Sequence, residues 1–182
     1  MELLAKLPRE RWAERNLAGR TLLHFACLNH NVMTTVALLQ SGLVDVNARG
    51  TAGWTAAHVA AESTQPRALE LLCAAGADLR LCTNKGYAPI DFVLADAHKN
   101  GCQTGRVLVA NGVRLSTVSE HLRNYITPEL VAFERGVLRC RAAVVSILSA
   151  KRKGKLWRWD KFLLRAIAYA VWATRYDKNW QN

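Results

Sequence analysis

The chain repeats one short pattern three times, and this periodicity limits the possible folds more than any other feature of the sequence. Residues 19–26 (GRTLLHFA) recur as residues 53–60 (GWTAAHVA) and, less closely, as residues 86–93 (GYAPIDFV). The three leading glycines are 34 and 33 residues apart. A fixed period of this length is the signature of a solenoid, in which similar small units stack in a row.

A second set of apolar segments lies behind the first in every unit. Residues 36–42, 69–78 and 106–113 each carry a stretch rich in Leu, Val or Ala that ends near a glycine. Each unit is therefore predicted to be a glycine turn, a short helix, a second helix and a glycine stop. Such short helix pairs cannot bury their apolar faces alone, so each unit needs the next one packed against it.

This pattern resembles the ankyrin repeat, and residues 21–26 (TLLHFA) are the copy closest to its T-P-L-H-x-A motif. The resemblance covers residues 17–116 and implies an all-α ankyrin-repeat solenoid. Its three helix-pair repeats would be residues 17–50, 51–83 and 84–116, with residues 1–16 as a degenerate N-terminal cap or partial repeat. In this family the histidine of the motif hydrogen-bonds the neighbouring turn. His24 and His58 are therefore predicted to be structural rather than catalytic or metal-binding.

The pattern weakens in the third unit and ends after it. Asp91 replaces the histidine, and residues 98–105 are predicted to be a long loop between the two helices of this unit. Residues 117–182 are predicted to be a basic helical C-terminal extension. Pro128, following a threonine, predicts the start of a first helix that continues to about residue 150. Asp160 is predicted to cap a last helix.

Positive charge is concentrated in this extension. The net charge is +11 for the whole chain, with +3 on residues 1–116 and +8 on residues 117–182. The densest basic cluster consists of Lys151, Arg152, Lys153, Lys155, Arg158 and Lys161, interleaved with two tryptophans. Three interpretations remain open for this cluster: a linker, a nuclear-targeting signal, or a contact for an anionic partner. Any nucleic-acid binding is expected to be weak, sensitive to salt and without sequence specificity.

Enzyme and membrane classes find little support in the sequence. It has no nucleophile elbow, phosphate-binding loop or dinucleotide fingerprint, and its five cysteines are too widely spaced to suggest a zinc pair. No stretch reaches the roughly 18 apolar residues that a membrane span needs. The sequence therefore predicts a non-enzymatic intracellular protein, cytoplasmic or nuclear. We expect a monomer with no cofactor and no bound metal.

The residue that follows each repeat glycine is the candidate for partner binding. Arg20, Trp54 and Tyr87 occur once per unit and are expected to form a row on the concave side of the solenoid. These three residue types are enriched at interface hot spots. A polar rim of Arg49, Asn84 and Lys85 is predicted beside them. The alternative is that Trp54 and Tyr87 only pack over adjacent helices.

The leading function hypothesis is thus a protein–protein interaction module, with the basic tail as a cap or second contact. One alternative is a binder of nucleic acid or of an anionic surface through that tail. The other is a substrate-recruiting adaptor for a ubiquitin ligase. With residues 171–175 (VWATR) the chain also resembles ankyrin proteins of large DNA viruses and protists. Some of these carry a C-terminal F-box-like segment, although the tail here has no Leu-Pro-x-Glu opening.

Overall fold

The computed structural model describes residues 8–95 and 101–152 of the chain, and these residues form helices and turns without a β-strand. The α-helices are α1 (Leu22–Leu28), α2 (Val32–Ser41), α3 (Ala56–Glu62), α4 (Pro66–Ala74), α5 (Pro89–Ala95), α6 (Gly101–Ala110) and α7 (Pro128–Arg152). Short 3₁₀ helices lie at Arg9–Ala13, Leu115–Thr117 and Glu120–Tyr125. The fold is therefore all-α, as the sequence predicts.

The first helix of each of the first two units begins with the same local device. Thr21 and Thr55 are the N-caps of α1 and α3, and the histidine three residues later completes a capping box. Its imidazole accepts the backbone N–H of the capping threonine. Backbone donors at a helix start have no partner within the helix, so this contact removes an unsatisfied group from the interior.

The helices stack in two rows, as expected for a solenoid. Within a unit, α1 packs on α2, α3 on α4 and α5 on α6; between units, α1, α3 and α5 form one row and α2, α4 and α6 the other. The largest side chains withdrawn from solvent are apolar residues of these rows: Leu23, Leu38, Leu69, Leu72, Ile90 and Leu108. Every helix of the rows is ten residues or shorter. Its stability therefore comes from packing against the next unit rather than from helix propensity.

A short segment covers the third helix pair. Its buried residues are Leu115, Val118, Leu122 and Leu130, and the 3₁₀ helix Glu120–Tyr125 packs on α5. The chain divides into two compact units, and the boundary falls between Leu130 and Val131. Residues 117–130 thus belong with the repeats, where they shield the apolar surface that the end of a solenoid would otherwise expose.

One prediction about the third unit is wrong. Gly101–Ala110 is helical, so residues 101–105 are not part of a loop. Gly105 lies inside this helix because Leu130 packs over it: a Cβ at Gly105 would stand 3.3 Å from Leu130 Cδ2. The start of α7 at Pro128 is confirmed. Residues 96–100 and the helix predicted from Asp160 lie outside the described residues.

Candidate partner-binding surface

Three turns, which we call fingers, carry the residues predicted to bind a partner. They are finger 1 (residues 15–21), finger 2 (residues 49–55) and finger 3 (residues 82–88). Each is closed by equivalent backbone hydrogen bonds, such as that from the N–H of Gly53 to the carbonyl of Gly50, 2.8 Å. Neighbouring fingers are also bonded to each other. The N–H of Thr51 donates to Ala18 and that of Asn84 to Ala52, each at 3.0 Å.

Two arginine side chains strengthen the same contacts. Arg15 Nη1 donates to the carbonyl of Arg49 at 2.7 Å, and Arg49 Nη2 donates to the carbonyl of Cys82 at 2.9 Å. The side-chain amide of Asn84 donates to the carbonyl of Thr51 at 2.9 Å. Arg49 and Asn84, both predicted to contact a partner, therefore also hold fingers 2 and 3 together. In these contacts each arginine uses one of its five N–H donors.

The two histidines occupy the positions that the sequence predicts for them. His24 Nε2 lies 3.0 Å from the carbonyl of Trp54, and His58 Nε2 lies 3.1 Å from that of Tyr87. Each imidazole accepts an N–H at Nδ1 and faces a carbonyl at Nε2, which fixes the neutral form with its proton on Nε2. Burial lowers the pKa of His24, and it lowers the pKa of His58 to about 4. Both rings are therefore neutral structural bridges between one unit and the next finger.

Asp91 makes the corresponding bridge in the third unit with the opposite hydrogen-bond direction. Its Oδ2 accepts the N–H of Ala88 at 2.8 Å, as the imidazole does in the first two units. Its Oδ1 accepts the N–H of Ser119 at 3.0 Å, whereas each histidine faces a carbonyl. The segment after the third unit presents an N–H at this point, and only an acceptor can bond to it. This requirement explains the aspartate that replaces the histidine.

Replacing Asp91 with asparagine is expected to lower the free energy of unfolding by about 1.5 kcal/mol, because the side-chain NH₂ must then face a backbone donor in a buried site. Urea unfolding of the two proteins measures this difference. Asp78→Asn is the matched control, since Asp78 is exposed and its Oδ1 accepts one backbone N–H, from Arg80. Equal stability of Asp91→Asn and the natural chain would contradict the assigned bonds.

Aromatic side chains connect fingers 2 and 3 to the segment beyond them. Trp54 lies 4.6 Å from Phe92 between ring centroids, Phe92 lies 6.1 Å from Tyr87, and Tyr87 lies 5.8 Å from His121. The first three rings are half-buried and His121 is exposed. The rings of Trp54 and Tyr87 therefore pack on a neighbouring helix and still present one part to solvent.

The structure describes some of the remaining predicted residues and not others. Arg20 and Lys85 are exposed. Phe92 and His121 adjoin this surface but were not among the predicted residues. The repeat alignment could have indicated Phe92, since Phe25 is its counterpart after His24, whereas His121 lies beyond the periodic region. Of the basic cluster, Lys151 and Arg152 end α7. The other four members, Lys153, Lys155, Arg158 and Lys161, lie outside the described residues.

The described residues hold no grouped set of metal ligands, and two of their cysteines have raised pKa values. Across residues 8–95 and 101–152, no three His, Cys, Asp or Glu side chains are grouped so that they could hold a metal ion. Burial raises the pKa of Cys27 to about 12 and that of Cys73 to about 11, which keeps both thiols protonated at neutral pH. Within the same ranges, every helix is too short or too polar to cross a membrane.

Comparison with known protein families agrees with the geometry. Residues 2–81 match the family described as ankyrin repeats (3 copies). These repeats are ankyrin repeats. The match ends before finger 3, but α5 and α6 pack on the second ankyrin repeat as that repeat packs on the first. The solenoid thus continues through a third helix pair, and an ankyrin-repeat fold suggests a protein–protein interaction module.

Similar stretches occur in larger proteins. The SMC5-SMC6 complex localization factor protein 1 of Bos taurus and that of Homo sapiens are each 30% identical over 98 residues, 53% of this chain and 9% of the relative. Tyrosine-protein kinase HTK16 of Hydra vulgaris is 30% identical over 128 residues, 69% of this chain and 16% of the kinase. The chain therefore spans only a small part of each of these relatives.

Proposed function

We propose that the chain is a non-enzymatic module that binds a protein partner through the surface formed by its fingers, the concave side of the predicted solenoid. The observation that carries the proposal is the contact of Trp54 and Tyr87, from fingers 2 and 3, with Phe92; Arg20 has the equivalent position in finger 1. Arg20 is exposed, and the two aromatic rings are held in place by Phe92 while part of each remains open to solvent. Rigid, partly exposed aromatic side chains beside an arginine are typical of interface hot spots.

The comparisons support a binding role without naming the partner. Two of the relatives are called localization factors of a complex, a name that describes recruitment rather than catalysis. The similarity to the kinase covers 16% of that protein, too little to imply its activity here. On this basis we propose an intracellular monomer that works by recruiting or positioning another protein.

The tail is proposed as a second contact or a cap. The features that favour a nucleic-acid binder, a ubiquitin-ligase adaptor or a likeness to viral and protist ankyrin proteins fall mainly in residues 153–182, outside the described residues. The fingers form one bonded structure that holds Trp54 and Tyr87 against Phe92. For this reason we place the primary site on the fingers.

Site-specific photo-crosslinking tests the proposal. Benzoylphenylalanine is introduced into the full chain at position 20 or 85, and at position 114 as the control, because all three side chains are exposed and only the first two belong to the fingers. After irradiation in an extract of the source cells, a protein adduct is expected from positions 20 and 85 and not from position 114. An adduct of equal intensity from all three positions, or from position 114 alone, would contradict the proposal.

A further inference from the structure

The fingers carry positive charge without any negative charge. Four cationic residues lie in the three fingers, and the fingers contain no Asp or Glu: the four are Arg15, Arg20, Arg49 and Lys85. The acidic residues nearest in sequence are engaged elsewhere. Glu14 pairs with Arg11 at 3.0 Å, and the carboxylates of Asp45 and Asp78 each accept a local backbone N–H. Asp91, three residues after finger 3, is buried, and its carboxylate accepts the N–H groups of Ala88 and Ser119. The finger surface is therefore cationic, although residues 1–116 as a whole are close to neutral.

The folded chain fixes the position of much of this charge. Arg15 and Arg49 are held by carbonyls of the following unit, and the stem of Arg20 packs beside Gly50, where a Cβ would stand 3.6 Å from Arg20 Cγ. Holding long side chains in place beforehand reduces the entropy that a bound anionic group would have to remove. Ordered cations in fingers that contain no Asp or Glu favour an anionic ligand over a neutral one.

Apolar surface lies between the two ends of this charge. Arg20 is in the first unit and Lys85 in the third, while the contact of Trp54 with Phe92 joins the second unit to the third. Edge-on contacts extend the aromatic row to Tyr87 and His121. A ligand that contacts both the cations and the aromatic rings needs an apolar side chain for the rings and carboxylates on either side of it.

We propose that the partner offers an acidic segment with an apolar residue at its centre, which packs on the ring of Trp54 while flanking Asp or Glu side chains face the cations of the fingers. This inference rests on the proposed function, because it specifies the partner of the same surface. Contacts of this kind accelerate association and select the partner by charge, and they weaken as the salt concentration rises.

Three fluorescein-labelled peptides test the inference with the full chain. Each contains a central Leu-Phe pair, flanked on both sides by four Glu, four Gln or four Lys. Fluorescence anisotropy at low salt is expected to show binding of the Glu peptide at least about tenfold tighter than that of the Gln peptide, with no binding of the Lys peptide. Raising the salt should reduce the difference between the Glu and Gln peptides. Equal affinities for all three would overturn the inference.

Charge reversal locates the site. The double variant Arg20→Glu, Lys85→Glu is expected to lower the affinity for the Glu peptide by at least about tenfold. The control Arg114→Glu, Arg135→Glu makes the same change in net charge at exposed positions outside the fingers, and it should lower the affinity by less than about threefold. If the first pair impairs folding, Arg20→Gln with Lys85→Gln takes its place and should weaken binding in the same direction. Equal losses from both pairs would overturn the inference.

Competition in the same assay distinguishes a protein partner from nucleic acid. An oligo-dT strand is added as competitor to the labelled Glu peptide. If it displaces this peptide as effectively as unlabelled peptide does, the inference that the cations of the fingers bind a protein is overturned. Replacing Leu-Phe by Ser-Ser in the Glu peptide should also weaken binding. An unchanged affinity would contradict the proposed contact between the peptide and the aromatic rings. A crosslinked partner from position 20, combined with peptides that bind equally, would leave the proposed function intact and reject only the acidic segment.

Discussion

Replacing Gly53 with alanine is expected to lower the free energy of unfolding by about 3 kcal/mol, since two penalties act at one atom. Gly53 has a φ of +77°, a region that residues with a Cβ adopt only with strain. The added Cβ would also stand 2.7 Å from the backbone nitrogen of Asn84, in the finger of the next unit. That nitrogen donates to Ala52, so the clash cannot be relieved without pulling two fingers apart.

Gly86 supplies the matched control for this substitution. It has the same place in finger 3 and a φ of +84°, but a Cβ there would meet no atom of the described residues within 4 Å. Gly86→Ala is therefore expected to lose only about 1 kcal/mol, the cost of the backbone conformation. Urea unfolding of both variants gives the comparison, and equal losses would show that the contact between fingers 2 and 3 is looser than described.

Acid is expected to destabilise the solenoid through its buried histidines. The pKa of His58 is about 4 in the folded chain, below its ordinary value of 6.5, because burial disfavours the charged ring. Between these two values the unfolded chain binds more protons, so stability is complete above pH 6.5 and falls as the pH approaches 4. From pH 7 to pH 5, His58 alone should remove about 2 kcal/mol from the free energy of unfolding. The lowered pKa of His24 adds a loss of the same sign.

A glutamine at position 58 isolates this effect from other titrating groups. His58→Gln is uncharged at every pH, so its stability between pH 7 and pH 5 should decline less than that of the natural chain, by about 2 kcal/mol. The variant is expected to be less stable at pH 7, where the natural imidazole bonds to both Thr55 and Tyr87. Parallel pH profiles for the two proteins would show that His58 does not titrate as its surroundings require.

The repeating part of the fold could be predicted from local chemistry. A glycine before a threonine and a histidine three residues further on mark a turn, a helix cap and a bridge, and the structure contains all three in the first two units. Residues 101–105 were predicted to be a loop and are helical, and Gly105 lies within this helix where another element packs closely on it. This packing, the contact with Leu130, depends on a residue 25 positions later and on the final fold.

The candidate surface was predictable only in part, and for a related reason. Equivalent positions in a repeat lie in a row, which indicated Arg20, Trp54 and Tyr87. No pattern within one unit shows that Trp54 would reach Phe92, or that His121 would return to Tyr87 from beyond the repeats. Such contacts between distant segments follow from how the chain turns after its last period.

The reversed bond of Asp91 suits the third unit to the segment that covers it. A histidine at this position needs a carbonyl from a following finger, and the array could then be extended by one more repeat. The aspartate instead selects the N–H of Ser119, so the third unit accepts the covering segment and disfavours another finger in its place. A chain engineered to carry a fourth repeat would therefore need a histidine at position 91 as well as the additional residues. In this protein the hydrogen-bond direction of one side chain distinguishes the third unit from the two before it.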